Sequence, residues 1–304
     1  MTFNLTTGFL ILLALVPALG WVLVYRYLDS RDTEPFGGIF LALVLGGLST
    51  IPVFGLQKIF AKYPHFDVVS LIQQTVSDPL VFTALFLVFV AVVEETVKAT
   101  AFLICMRASE KSFNQVVDGI VYAAMVGIGF ALTENYYYFS RAWDSFQLSG
   151  SFLAIFAIRS FGTMLAHTLF ASVFGLYFGK AYFAPFIRED SKQEKLWQNL
   201  GSNLARAIRF HGTFLFLLPR IEGQHQSIKR NVMIMEGFFV TIFLHFLYNA
   251  LIKLEVFGHN WTFLIIPLIF LMAWFVWSRF FVRIYNRVLE FVQVKTGWYR
   301  VNIR

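Results

Sequence analysis

The chain has 304 residues, of which 58% are hydrophobic, 18% aromatic and only 14% charged. Because about a quarter of the residues of an average soluble domain are charged, this composition excludes an ordinary soluble globular protein. The single cysteine, Cys105, excludes an internal disulfide and a cysteine-based structural zinc site. The net charge of +7 is typical of either a nucleic-acid-binding protein or a membrane protein that follows the positive-inside rule.

Long apolar runs predict an all-α fold, a polytopic helical membrane bundle that forms one integral membrane domain over residues 1–304. No charge precedes the first run, so we expect it to be retained rather than removed as a signal peptide. Residues 184–232 are predicted to form a polar cytoplasmic segment, in which the short apolar run 210–218 makes an interfacial or re-entrant helix. The seven predicted spans are 5–24, 37–56, 80–106, 116–139, 152–183, 233–257 and 261–281.

The basic residues are distributed unevenly among the segments between these spans. With the N-terminus outside and the C-terminus inside, 19 of the 25 lysines and arginines fall in inside segments. The positive charge is therefore explained by topology, and we expect no nucleic-acid partner. Tryptophans near the ends of spans, Trp21, Trp143 and Trp261, are predicted to lie in the interfacial belts.

Ionisable side chains inside four successive spans are the main pointer to function. A charge at the centre of a bilayer costs about 3 kcal/mol, so each one needs a partner, a water-filled cavity or a task. Ion pairs that only lock the helices together would also explain such a set. The set comprises Glu94, Glu95 and Lys98 in the third span, Asp118, Glu134 and Asn135 in the fourth, Arg159 and His167 in the fifth, and Glu236, His245 and Asn249 in the sixth.

The third span carries two adjacent carboxylates, Glu94 and Glu95, within one helical turn of Lys98. The lysine can neutralise either of them, at i,i+4 or at i,i+3. Adjacent residues point about 100° apart on a helix, so one glutamate can face a cavity while the other is paired. Our first choice for a general base that activates water is Glu94, with Glu95 as the second choice.

Three further polar positions complete the predicted cluster. Glu134 follows a run of small residues that allows close helix packing, and it needs a partner such as Arg159 or His167. It would lie only about 8 Å from the outer end of a helix that stopped at residue 139, so we expect this helix to continue toward residue 146. His245 and Asn249, at i,i+4, can donate two hydrogen bonds to a developing oxyanion.

Three known chemistries of intramembrane proteolysis have sequence signatures that can be searched for, and this chain has none of them. It contains no H-E-x-x-H zinc motif, no G-x-S-G serine motif and no G-x-G-D aspartate motif. Glutamate, histidine and asparagine remain, and together they suffice to activate a water and to hold an oxyanion.

Four short motifs on four predicted helices resemble those of a known family. Residues 94–98 read E-E-T-V-K and resemble E-E-x-x-K, and residues 130–135 read F-A-L-T-E-N. Residues 167–175 resemble H-x-x-F-x-x-x-x-G, and residues 245–249 resemble H-x-x-x-N. The segment 29–36, with D-T-E-P-F at residues 32–36, is similar to the family's first loop. In this order the motifs resemble the PrsW family of bacterial intramembrane proteases, within the superfamily of CAAX prenyl proteases and bacteriocin-processing enzymes.

The resemblance implies a multi-pass enzyme of the bacterial plasma membrane that cleaves a single-span membrane protein, such as an anti-sigma factor or a similar regulator. It also implies a glutamic mechanism without a cofactor, although two histidines and three glutamates leave zinc open. In this interpretation His167 orients water or protonates the leaving amine, and Lys98, Glu134, Asn135 and Arg159 support the site. The CAAX-processing branch has histidine where this chain has Glu134, so prenyl-protein processing is not expected.

Two alternatives from other classes use the same residues. Buried glutamate, histidine and lysine relays also serve proton- or ion-coupled transporters, which a discontinuous helix or a continuous water path would favour. A non-catalytic membrane scaffold would use the cluster for packing alone.

Overall fold

The computed structural model describes residues 5–29, 33–110, 112–183 and 224–254, together with residue 269. These residues form helices and connecting turns, with no strand among them. The helices are α1 (Leu5–Leu28), α2 (Phe36–Leu48), α3 (Thr50–Lys62), α4 (Val68–Thr75), α5 (Pro79–Ala108), α6 (Val116–Phe146), α7 (Gly150–Ala157), α8 (Met164–Phe183) and α9 (Gln224–Lys253), with a 3-10 turn at Pro64–Phe66 and a π-helical segment at Ile158–Thr163.

Six stretches of the described chain are long and apolar enough to cross a membrane, and they coincide with the first six predicted spans. The protein is therefore a polytopic helical bundle. The predicted seventh span, 261–281, and the short apolar run 210–218 lie outside the described residues, as does most of the segment 184–232. The end of that segment is part of α9, which begins at Gln224, because its glutamines, lysine and arginine are good helix formers.

The second span is interrupted at Ser49, between α2 and α3. Pro52 lies two residues into α3, and its missing N–H leaves a carbonyl of the preceding turn without its helical partner. At the same place the Ser49 and Thr50 hydroxyls donate to the carbonyls of Gly46 and Gly47, at 2.6 and 2.7 Å. The span predicted over 37–56 is confirmed, and the structure adds a break at Ser49 that hydropathy does not show.

The central helix of the bundle is α6, which continues to Phe146, so the predicted extension beyond residue 139 is confirmed. Its first turn is fixed by Asp118, whose carboxylate accepts from the backbone N–H groups of Asn114 and Gln115, both at 2.7 Å. This capping explains why a buried carboxylate stands at the start of a membrane helix.

Glycines allow α6 and α8 to cross in backbone contact. A β-carbon on Gly175 would lie 2.1 Å from the carbonyl oxygen of Gly119. A β-carbon on Gly127 would lie 2.8 Å from the carbonyl oxygen of His167. This close approach brings Glu134 and His167 within reach of each other, because only a backbone without side chains fits there.

Two of the predicted interfacial tryptophans pack within the bundle. Trp21 donates its indole N–H to the carbonyl of Ser160 at 3.3 Å. The ring of Trp143 contacts Phe152, with 5.4 Å between the centroids. These contacts add helix packing to the predicted interfacial position, and Trp261 lies outside the described residues.

Candidate active site

Four membrane spans place their ionisable side chains in one buried cluster. The third span contributes three of them from a single turn of α5, and the others come from α6, the π-helical segment, α8 and α9. Hydrogen bonds and ion pairs link most of these side chains into one network. The members are Glu94, Glu95, Lys98, Glu134, Asn135, Arg159, His167 and His245.

Glu95 is the member of the adjacent pair that is fully engaged. Its Oε1 accepts from the Lys98 ammonium at 2.5 Å and from Nδ1 of His245 at 2.6 Å. Both side chains that contact it are buried. Since Nδ1 of His245 donates to a carboxylate, Nε2 of that ring carries the lone pair in the neutral imidazole.

His167 lies between a cation and a carboxylate. Lys98 Nζ is 3.0 Å from its Nδ1, and an ammonium can only donate, so Nδ1 accepts. The proton of the neutral ring is then on Nε2, which donates to Glu134 Oε2 at 3.1 Å. Both nitrogens of His167 are therefore engaged within the protein, and its tautomer is fixed by its neighbours.

Glu134 is held from a second side by Arg159. The guanidinium Nη2 lies 2.8 Å from Glu134 Oε2, and these two side chains keep 14% and 13% of their surfaces exposed. Arg159 also donates from Nε to Asn135 Oδ1 at 2.9 Å, and its cation lies 3.7 Å from the ring centroid of Tyr138. The exposed fractions of Arg159 and Glu134 are the largest among the ion-paired side chains of the cluster, and we refer to this side of it as the open edge.

Glu94 differs from the other acids of the cluster. Its Oε2 is buried and has no hydrogen-bond partner among the residues that the structure describes. The nearest basic atom is Nε2 of His245 at 3.8 Å, which is too long for a direct hydrogen bond. A carboxylate oxygen and an imidazole lone pair thus face one small space, and a water there can donate one hydrogen to each.

Eight of the eleven side chains singled out in the sequence meet in this cluster. Asp118, which caps α6, and Glu236 lie outside it. So does Asn249, which makes no hydrogen bond with any described residue and is half-buried one turn beyond His245. Sequence reasoning did not find Phe170, whose ring stacks on His245 with 5.5 Å between centroids, or Phe130, whose ring lies 4.7 Å from Lys98 Nζ. Aromatic residues are too frequent in this chain for their positions to stand out.

Comparison with known proteins shows which family the chain belongs to. The sequence pattern of the family described as "PrsW family intramembrane metalloprotease" matches residues 34–227. The chain belongs to the PrsW family. It is therefore an intramembrane protease with several membrane-spanning helices. The matched residues include the glutamates of α5 and α6 and His167, whereas His245 lies beyond them.

Curated relatives of several bacteria carry the name Protease PrsW. The chain is 28% identical over 210 residues to a protein named Protease PrsW of Clostridioides difficile (strain 630), covering 69% of this chain and 79% of the relative. It is 27% identical over 238 residues to Protease PrsW of Oceanobacillus iheyensis, covering 77% and 91%. Protease PrsW of Bacillus subtilis (strain 168) is 26% identical over 203 residues, covering 66% and 79%. The comparison with solved structures gave no significant match.

The family description includes the word metalloprotease, so the side chains of the cluster have to be compared with those of a metal site. Glu94, His167 and His245 each offer a ligand atom, and these atoms lie within 4.8 Å of one another. A catalytic zinc takes three protein ligands. Because Lys98 and Glu134 occupy both nitrogens of His167, only Glu94 and His245 have uncommitted donor atoms in this group. The set does not fit a zinc ion unless a contact of His167 breaks.

The interruption of the second span bears on the transporter alternative. A discontinuous helix was the expected sign of a transporter, and α2 and α3 are separated at Ser49. The charged cluster, however, lies on α5, α6, α8 and α9 and includes no residue of the interrupted span. The PrsW assignment decides in favour of the protease.

Proposed function

We propose that this protein cleaves a single-span membrane protein of the bacterial plasma membrane with a water that Glu94 activates. The observation that carries the proposal is the unengaged Oε2 of Glu94, 3.8 Å from Nε2 of His245. Every other carboxylate of the cluster accepts a hydrogen bond from a neighbouring side chain. Glu94 is thus the acid in the cluster with an oxygen available to take a proton from water.

The first step places a water between Glu94 and His245. The water donates one hydrogen to Glu94 Oε2 and the other to His245 Nε2, so its lone pair faces the scissile carbonyl carbon. Glu94 takes the proton as the C–O bond forms, and the carbonyl oxygen becomes the oxyanion of the tetrahedral intermediate. The protonated Glu94 then donates to the leaving amine as the C–N bond breaks, which restores the carboxylate.

The remaining residues keep these two groups in place. Glu95 orients His245 through Nδ1, in the way that an acidic residue orients a catalytic histidine elsewhere. In this proposal Nε2 of His245 accepts a hydrogen bond from the water. This role takes the place of the oxyanion donor that we expected from the sequence. Asn249 remains a candidate oxyanion donor once substrate is bound. Lys98, His167, Glu134 and Arg159 balance the buried charge around Glu94.

The substrate class follows from where the cluster lies and from the family. The catalytic groups stand on membrane spans, so the scissile bond has to reach them from within or beside the bilayer. The open edge at Glu134 and Arg159 is a point at which an extended segment can enter. The resemblance to the PrsW family suggests an anti-sigma-factor-like regulator as the substrate, and no nucleic acid or cofactor takes part in the proposal.

Co-expression tests this proposal directly. A panel of epitope-tagged single-span membrane proteins from the source bacterium is expressed with the wild-type chain, with Glu94→Gln or with Glu236→Gln. Glu236 makes a matched control, because it lies on α9 about 14 Å along the helix axis from His245 and outside the cluster. We expect a shortened product with wild type and Glu236→Gln and none with Glu94→Gln. Equal cleavage by all three would refute Glu94 as the base.

A further inference from the structure

The fifth span contains a π-helical segment at the edge of the active site. Residues Ile158–Thr163 form this wider turn between α7 and α8, and the N–H of Met164 bonds to the carbonyl of Arg159, five residues back. Such turns are rare and often occur at functional sites. This one carries Arg159, the cation that contacts Glu134.

Three side chains from three other helices bond to this segment. Asn135 of α6 donates to the carbonyl of Arg159 at 3.3 Å, and Trp21 of α1 donates to the carbonyl of Ser160 at the same distance. The hydroxyls of Thr163 and Tyr248, the latter on α9, are 3.2 Å apart. These three contacts fix the segment from three neighbouring helices. An ordinary packed helix does not need such contacts to form a π turn.

The backbone of this segment determines where the Arg159 guanidinium points. Arg159 is held by Asn135 at both its backbone carbonyl and its Nε. The next residue, Ser160, is fully buried and is held by Trp21. Since adjacent peptide units move together, release of the Ser160 carbonyl also displaces Arg159 from Glu134 and thereby loosens His167.

We propose that Trp21 is a positioning residue of the active site, which acts through the π-helical segment on Arg159 and Glu134. This inference rests on the proposed function for its effect on turnover. Trp21 belongs to α1, which lies outside the residues 34–227 that match the family pattern. The first helix thus contributes to the reaction without touching the reacting atoms.

The matched control is Tyr25, one turn further along the same face of α1. Its hydroxyl donates to Ser172 Oγ at 3.0 Å, and Ser172 in turn donates to the carbonyl of Thr168 at 2.7 Å. Trp21→Phe removes the hydrogen bond to Ser160 of the π-helical segment, and Tyr25→Phe removes the hydrogen bond to Ser172 of α8. Each variant keeps an aromatic ring.

Amide hydrogen exchange of the detergent-solubilised protein tests the structural step without any substrate. We expect Trp21→Phe to speed exchange in the peptide covering residues 158–163 about fivefold, and Tyr25→Phe to leave that peptide at the wild-type rate. The proposal is overturned when Trp21→Phe leaves residues 158–163 unchanged, or when Tyr25→Phe speeds their exchange equally.

Turnover of a substrate found by the co-expression panel tests the catalytic step. We expect Trp21→Phe to lower kcat about fivefold with little change in KM, and Tyr25→Phe to keep the wild-type kcat. In an Arg159→Gln background, Trp21→Phe should add less than about a twofold loss, because both changes act through one contact. A full additional loss would show that Trp21 does not act through Arg159. Failure of the proposed function itself would appear instead as unchanged turnover in Glu94→Gln.

Discussion

Glu95 accepts a hydrogen bond from Nδ1 of His245 at 2.6 Å, and this contact separates the roles of the two adjacent glutamates. The bond fixes the His245 tautomer and leaves its Nε2 facing Glu94. Glu95 also neutralises the buried Lys98. One carboxylate thus organises the site while its neighbour is free to react, although both belong to the same helical turn.

Glutamine substitutions at the two positions should therefore differ in stability. We expect Glu94→Gln to keep the thermal stability of the purified protein while it lowers turnover a hundredfold or more, roughly the contribution of a general base. Glu95→Gln should lower the free energy of unfolding by about 3 kcal/mol, because it leaves the Lys98 charge buried without its partner. Thermal unfolding in detergent measures the difference. Equal melting temperatures for the two variants would contradict the assignment.

The two histidines should also respond differently to glutamine. Gln at position 167 can still accept from Lys98 through its oxygen and donate to Glu134 through its nitrogen, so we expect His167→Gln to retain measurable activity. His245→Gln loses the oriented imidazole lone pair next to Glu94 and should lower kcat about as much as Glu94→Gln does. Cleavage of one tagged substrate by both purified variants provides the measurement. The reverse order of activities would make His167 the catalytic ring.

Metal dependence is the third test. Because His167 has no free nitrogen in this arrangement, we expect cleavage to survive strong chelators and elemental analysis to find no stoichiometric zinc. As a control, the protein is purified without a chelator, and its activity and zinc content are measured before and after dialysis against a chelator. Loss of activity on chelation and its return with zinc would instead make Glu94, His167 and His245 a ligand set.

The sequence predicted the helices well because bilayer length and hydropathy set their positions. It also identified Glu94, Glu95, Lys98 and Glu134, since a charge within an apolar run is conspicuous. It left open which glutamate pairs with Lys98, because i,i+3 and i,i+4 neighbours lie equally close on a helix. The side chain of His245 on a distant helix decides that choice, and no local pattern contains that information.

The features that sequence reasoning missed depend on contacts between helices. The break at Ser49 and the π-helical segment were read as continuous spans, because hydropathy does not record how the backbone hydrogen bonds are arranged. The hydrogen bond from Trp21 to the carbonyl of Ser160 was also missed, because it joins two helices that are 139 residues apart in the sequence. Asn249 was grouped with His245 by spacing alone, and it lies outside the hydrogen-bonded cluster of the described residues.

The crossing of α6 and α8 provides a last prediction, on the geometry that supports the site. A β-carbon on Gly127 would lie 2.8 Å from the carbonyl oxygen of His167 and 3.1 Å from the β-carbon of Ala171, so the helices have to separate to accept it. We expect Gly127→Ala to lower the free energy of unfolding by about 1–3 kcal/mol and to reduce turnover, since the shift moves His167 away from Glu134. Gly55→Ala is the control, because it also places alanine in a membrane helix and nothing lies within 4 Å of the added carbon. That variant should be as stable as wild type or slightly more so, since alanine favours the helix over glycine. If Gly127→Ala matched Gly55→Ala in both melting temperature and turnover, close contact between α6 and α8 would not be required for the site.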